Sequence, residues 1–173
     1  APTWTTSAVD VSGNEDTAIT IGANVIADVD DTDMTMTVSS DNSGTFTLGA
    51  GIGDLTFSAG DGTDDSTMTF SGTVTEVNAA LNSIAWTSAS NVNTNSVLTL
   101  TANDGDDNSA ANTVAITVTA VNDAPTSAAV TVASTEDTLK TFAASNFAFT
   151  DVDSGSSISR IQITILESTG DLE

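Results

Sequence analysis

The sequence predicts an all-β fold: an antiparallel β-sandwich with Greek-key connections and one short helical turn. Three observations carry that expectation. Apolar residues alternate with Thr or Ser over one short stretch after another, the period of a half-buried strand. Clusters of Gly, Asn and Asp separate the stretches, and these residues favour turns. The apolar period lengthens towards that of a helix in one place only.

Taken in order, Met34, Met36 and Val38 alternate with Thr, as do Phe46 with Leu48 and Leu55 with Phe57. Met68 and Phe70 follow, then Ile84 and Trp86, Leu98 and Leu100, and finally Val114, Ile116 and Val118. The helical exception is Thr75 to Leu81, with Thr75 read as its N-cap. Val77 and Leu81, four apart, would plug one end of the core.

Composition removes whole classes of function. The 173 residues carry 24 acids against 2 bases, a formal net charge of −22. Nucleic acid and anionic membrane surfaces demand clustered Lys and Arg, and this chain has only Lys140 and Arg160. With no His and no Cys there is no zinc, haem or iron–sulfur set, no Ser-His-Asp triad and no thiol nucleophile. The acids are mostly Asp, which offers a short, hard oxygen ligand, and self-repulsion at this charge calls for a cation. No run approaches the ~20 apolar residues of a membrane span. Ala1-Pro2-Thr3 is no signal peptide, so the chain reads as a piece from inside something longer.

An internal repeat organises the chain. Ala1-Pro2-Thr3 recurs as Ala124-Pro125-Thr126, Glu15-Asp16-Thr17 as Glu136-Asp137-Thr138, and Asp28-Val29-Asp30 as Asp151-Val152-Asp153. One unit therefore spans residues 1–123, and residues 124–173 begin a second, incomplete unit with strands expected near 147–150 and 158–166. Counting strands up and down sends the loops to two ends. Glu15-Asp16, Gly60 to Asp65 and Val121-Asn122-Asp123 fall at one pole; Asp28 to Asp33, the helical turn and Asp104 to Asn108 fall at the other.

These residues resemble a known family. Val121-Asn122-Asp123-Ala124-Pro125 is similar to the interdomain linker of cadherins and cadherin-like repeats of large secreted bacterial adhesins of the RTX type. Glu15-Asp16 resembles the acidic signature after the first strand, Asp28-Val29-Asp30 and Asp151-Val152-Asp153 the Asp-x-Asp loops, and Asn103-Asp104-Gly105 the turn before the last strand. The resemblance implies Ca²⁺ held between successive domains. Its ligands at the internal junction would be Glu15, Asp16, Asn122, Asp123, Asp151 and Asp153, and Asp28, Asp30 and Asp104 would be half of the preceding junction. The loop Ser90 to Asn95 departs from the family pattern because it has no acid. Asp61, Asp64 and Asp65 are weak substitutes.

Other readings carry less. Trp4 and Trp86 could stack on sugar, though core packing suits them better. Lys140 could form an isopeptide bond, although a solvated Lys suits it better. Asp64 beside Asp65 could be a glycosidase pair, yet adjacent loop acids are ordinarily solvated. The expectation is a non-enzymatic, calcium-binding structural repeat of a secreted or surface adhesin, a rigid spacer whose partners are neighbouring repeats and possible copies of itself. The alternatives are a filament subunit completed by strand addition, or a carbohydrate- or protein-binding module.

Overall fold

The computed structural model describes residues 1–162. The chain divides into two compact units, Ala1–Val121 and Asn122–Glu173. Unit one contains eleven strands among the described residues: β1 (Thr3–Thr6), β2 (Val11–Asn14), β3 (Ile19–Thr20), β4 (Val25–Ala27), β5 (Asp33–Ser40), β6 (Gly44–Leu48), β7 (Thr56–Ala59), β8 (Thr67–Thr73), β9 (Ile84–Ser88), β10 (Ser96–Asn103) and β11 (Asn112–Thr119). One helix, α1 (Val74–Leu81), joins β8 to β9.

The strands form a six-stranded sheet in the order β2-β11-β10-β5-β8-β7, a three-stranded sheet β3-β9-β6 and a two-stranded pair β1-β4. Alternation explains the layering. In β11 the burial pattern is strictly one in, one out, with Val114, Ile116 and Val118 inside and Thr113, Ala115 and Thr117 outside. Met36, Val38, Met68, Phe70, Leu98 and Leu100 from the large sheet join Phe46, Ile84 and Trp86 from the small one in a single core cluster. Val77, Ala80 and Leu81 of α1 close it, each fully buried.

Two expectations are corrected. The sandwich is not wholly antiparallel, because β2 lies parallel to β11 with Val11 opposite Ile116. Alternation encodes which face a residue takes, not the direction of the neighbouring strand, and these two strands are far apart in sequence with no hairpin to dictate direction. The helix also begins earlier than Thr75. Its N-cap is Thr73, whose Oγ1 accepts from the Glu76 N–H while Glu76 Oε2 accepts from the Thr73 N–H at 2.7 Å. A capping box needs Glu or Gln three residues on; Thr73 has Glu76 there, whereas Thr75 has Asn78.

Side-chain amides tie the irregular parts to the core. Asn78 of α1 mimics a strand partner for β4, its Oδ1 accepting from the Ile26 N–H and its Nδ2 donating to the Ile26 carbonyl, both at 2.9 Å. Asn24, fully buried, accepts at Oδ1 from the Ala8 N–H and from Asn112 Nδ2.

Unit two repeats the opening of unit one in local geometry. Thr126 pairs with Thr150 as Thr3 pairs with Ala27, 123 positions earlier, and in both pairs the threonine Oγ1 also donates to the opposite carbonyl. Asp137 takes φ 58°, as Asp16 takes 55°. The strand expected near 147–150 is reduced to this bridge at Thr150. Of the strand expected at 158–166, residues 158–162 are not in a strand and the rest lie outside the described residues.

A side chain at Gly44 has no room, since a Cβ there would stand 2.4 Å from the Trp86 ring. Gly44→Ala should therefore destabilise unit one by about 1–3 kcal/mol, the usual cost of overpacking, read by urea denaturation. Thr73→Ala should cost about 1 kcal/mol through the lost cap.

Candidate metal centre

The acids that the sequence singled out fall into three settings. At one pole of unit one, Asp28 and Asp104 are built alike. Asp28 Oδ1 accepts from the N–H groups of Asp30 and Asp31, both at 3.1 Å. Asp104 Oδ1 accepts from those of Asp106 and Asp107 at 2.9 and 2.7 Å. Each Asp thus curls its own loop with one oxygen and leaves the other to point elsewhere.

Both remaining oxygens lie near one atom, the nitrogen of Ala1. The ammonium of Ala1 lies 3.0 Å from Asp104 Oδ2 and 3.7 Å from Asp28 Oδ2. The two carboxylate side chains are only 2% and 1% exposed, and Asp28 Oδ2 is buried without a hydrogen-bond donor. Asp28, Asp30 and Asp31 can also each bring a carboxylate oxygen within 4.8 Å of the others, a cluster able to hold a metal ion. Asp31 was not singled out from sequence. Its signal was the run Asp30-Asp31 following Asp28, because a loop that caps two successive N–H groups with one carboxylate folds both of those residues back beside it.

The protonation behaviour follows from these contacts. Donation from the Asp30 backbone, a side-chain hydrogen bond with Asp30 and donation from the Asp31 backbone hold the Asp28 carboxyl below the usual range. The same side-chain bond, with the charges of Asp28 and Asp31, pushes Asp30 up. The N–H groups of Asp107 and Asp106, then the Ala1 ammonium, bring Asp104 down to about 2.

At the opposite pole of unit one, Glu15 is buried, and its Oε1 accepts from the Val121 N–H at 2.8 Å where the chain leaves the sandwich. Asp16 adopts a left-handed turn, receives the Asn91 N–H on Oδ1 at 3.0 Å and donates its own N–H to Ser88 Oγ. In unit two, Asn122 Nδ2 donates to the Asp123 carbonyl, the Asp123 N–H donates to Asp153 Oδ2 at 2.8 Å, and the Asp153 N–H donates to Asp151 Oδ1. The structure therefore brings Asn122, Asp123, Asp151 and Asp153 together. The last of these bonds repeats the one from the Asp30 N–H to Asp28 Oδ1.

The weaker candidates serve local structure. Asp65 Oδ2 accepts from the N–H groups of Asp61 and Gly62, Asp61 Oδ1 accepts from Thr63, and Asp64 meets Thr47. Trp86 lies wholly in the core, and Trp4 donates its indole N–H to the Ala110 carbonyl, so the pair forms no exposed stacking platform. In the acid-free loop, Asn95 uses its side-chain oxygen on the Val118 N–H.

Comparison of the chain with protein-family models, with curated proteins and with solved structures finds no match.

A carboxyl held low in the folded chain contributes stability above its ordinary pKa, and the contribution is lost as pH falls through the folded value. For Asp104 that window runs from the ordinary 3.8 down to about 2. The melting temperature of unit one should fall across it, and Asp104→Asn should flatten the fall. An identical slope in the variant would refute this assignment.

Proposed function

We propose that this chain is a calcium-binding structural unit, a spacer repeat of a secreted or cell-surface adhesin of the cadherin-like kind, with no catalytic role. The observation that carries the reading is that Asp28 and Asp104, their side chains only 1% and 2% exposed, turn Oδ2 towards one point, with carboxylate oxygens of Asp30 and Asp31 clustered beside Asp28. A hard divalent ion wants six to eight oxygens held by flexible loops, and carboxylates and backbone carbonyls of such loops are the ordinary donors. Asn122, Asp123, Asp151 and Asp153 would form the corresponding group at the start of unit two. In this reading, calcium cancels the repulsion among carboxylates that no Lys or Arg neutralises and stiffens the linker between repeats. No helix among the described residues is long and apolar enough to cross a membrane.

Calorimetric titration of the chain with CaCl₂ tests the proposal. Dissociation constants of roughly 10⁻⁴–10⁻³ M are expected, as for extracellular modules. Asp28→Asn should abolish one site and Asp151→Ala another, each leaving the remaining heat in place. At calcium about 100-fold above the dissociation constant, stability should rise by about 2.7 kcal/mol per site. A flat titration, or one unaltered by both substitutions, would remove calcium from the account.

A further inference from the structure

One helix grips the Asp28 loop at both of its ends. The pair β1-β4 belongs to neither of the larger sheets, so bonds outside those sheets must fix where β4 delivers the chain. Ile26 of β4 stands opposite Trp4 of β1, yet its backbone groups go to α1. Its N–H donates to Asn78 Oδ1 and its carbonyl accepts from Asn78 Nδ2, each at 2.9 Å. Ile26 is 1% exposed, so neither group has water as an alternative partner. Asp28 follows two residues later.

The same helix holds the far end of the loop. The N–H of Val74, its first residue, donates to the Thr32 carbonyl at 2.8 Å. Asn78 comes four residues after Val74, one turn along the same side. The capping box of Thr73 and Glu76 sets where that first turn begins, and Val77, Ala80 and Leu81 anchor the helix in the core. Asp28, Asp30 and Asp31 are thus slung between two bonds to one rigid element. We propose that Asn78 is a positioning residue of the cation site: through Ile26 it turns the Asp28 loop towards Asp104, with both of its own polar side-chain atoms engaged and neither offered as a ligand.

The loop needs such a grip because its own bonds do not supply one. Asp28 Oδ1 curls the loop by accepting from Asp30 and Asp31, but those bonds move with the loop and fix it to nothing outside. Like charges at Asp28, Asp30 and Asp31 favour its opening. Asp28 Oδ2, buried without a hydrogen-bond donor, keeps its aim only while Ile26 and Thr32 stay in place. Groups that orient a ligand without touching the metal govern affinity by about 10–100-fold. The coupling is reciprocal, so a cation that holds the loop tightens both bonds to α1. This inference rests on the calcium reading of the Asp28 loop.

The test is calorimetric titration of the 173-residue chain with CaCl₂. Asn78→Ala should weaken the site at Asp28 about ten-fold and leave the site at Asp151 unchanged. Val74→Pro should act alike through the other end of the loop. Proline suits the first position of a helix, and Thr73, at ψ 154°, already has the conformation that precedes one, so the N–H is what is lost. Gly44→Ala controls for mere loss of stability: it meets Trp86, not the loop, and should leave both affinities as they are. Amide exchange in the unsubstituted chain needs no variant, and decides the matter where circular dichroism shows a variant unfolded. Calcium should slow the Ile26 and Val74 N–H groups but not that of Val97, bonded to Asp41 at the other end of β10. Unchanged affinity in both substituted chains, an equal loss in Gly44→Ala, or exchange at Ile26 and Val74 indifferent to calcium would overturn the proposal and leave calcium binding standing. A flat titration of the unsubstituted chain would overturn both.

Discussion

Negative charge without counter-charge is the constraint around which the molecule is arranged. Twenty-four acids share two bases, so ion pairing cannot balance them and the backbone must. Asp28, Asp104 and Asp65 each receive two main-chain N–H groups on one oxygen, and Asp41 receives the Val97 N–H and the Ser96 hydroxyl. A carboxylate so held is stabilised in its charged form and at the same time ends a strand with a tight turn. Charge and turn chemistry are therefore one device, and the strands between the turns are left free to be Thr-rich and almost neutral.

That device also prepares a cation site. When one oxygen is committed to curling the loop, the other is oriented for a partner that the protein itself scarcely supplies. At the pole of Asp28 and Asp104 the second oxygens of both carboxylates lie within 3.7 Å of one atom, the Ala1 nitrogen, so the two loops share a focus. The Asp151 loop has the same internal bond, and Asp123 enters from the linker to meet Asp153. The Asp30 carboxyl is raised first by its side-chain hydrogen bond with Asp28 and then by the charges of Asp28 and Asp31, while donation from the Asp30 backbone is the main cause that lowers Asp28.

Much of the fold could be read residue by residue. Alternation in 34–38, 68–70, 98–100 and 114–118 named core residues that are all buried, and Val77 and Leu81 do plug the end of the core. The helix starts after Thr73 and not after Thr75 because, although Thr75 is a good cap by type, the deciding partner, Glu76, stands three residues after Thr73. Of the candidate site, Asp28, Asp30 and Asp104 were visible through their loops. Asp31 was not, because its place depends on the curl that Asp28 imposes.

The sequence by itself determined the all-β class, the two-unit repeat, many of the core positions and the concentration of acids between the strands, because these depend on period, turn chemistry and composition, which are local. Only the tertiary structure decided that β2 runs parallel to β11, that Asn78 clamps β4 and that Asp28 and Asp104, 76 positions apart, aim at one point. Those facts depend on which distant backbone lies alongside, and a two-residue period carries no information about the identity or direction of a neighbour.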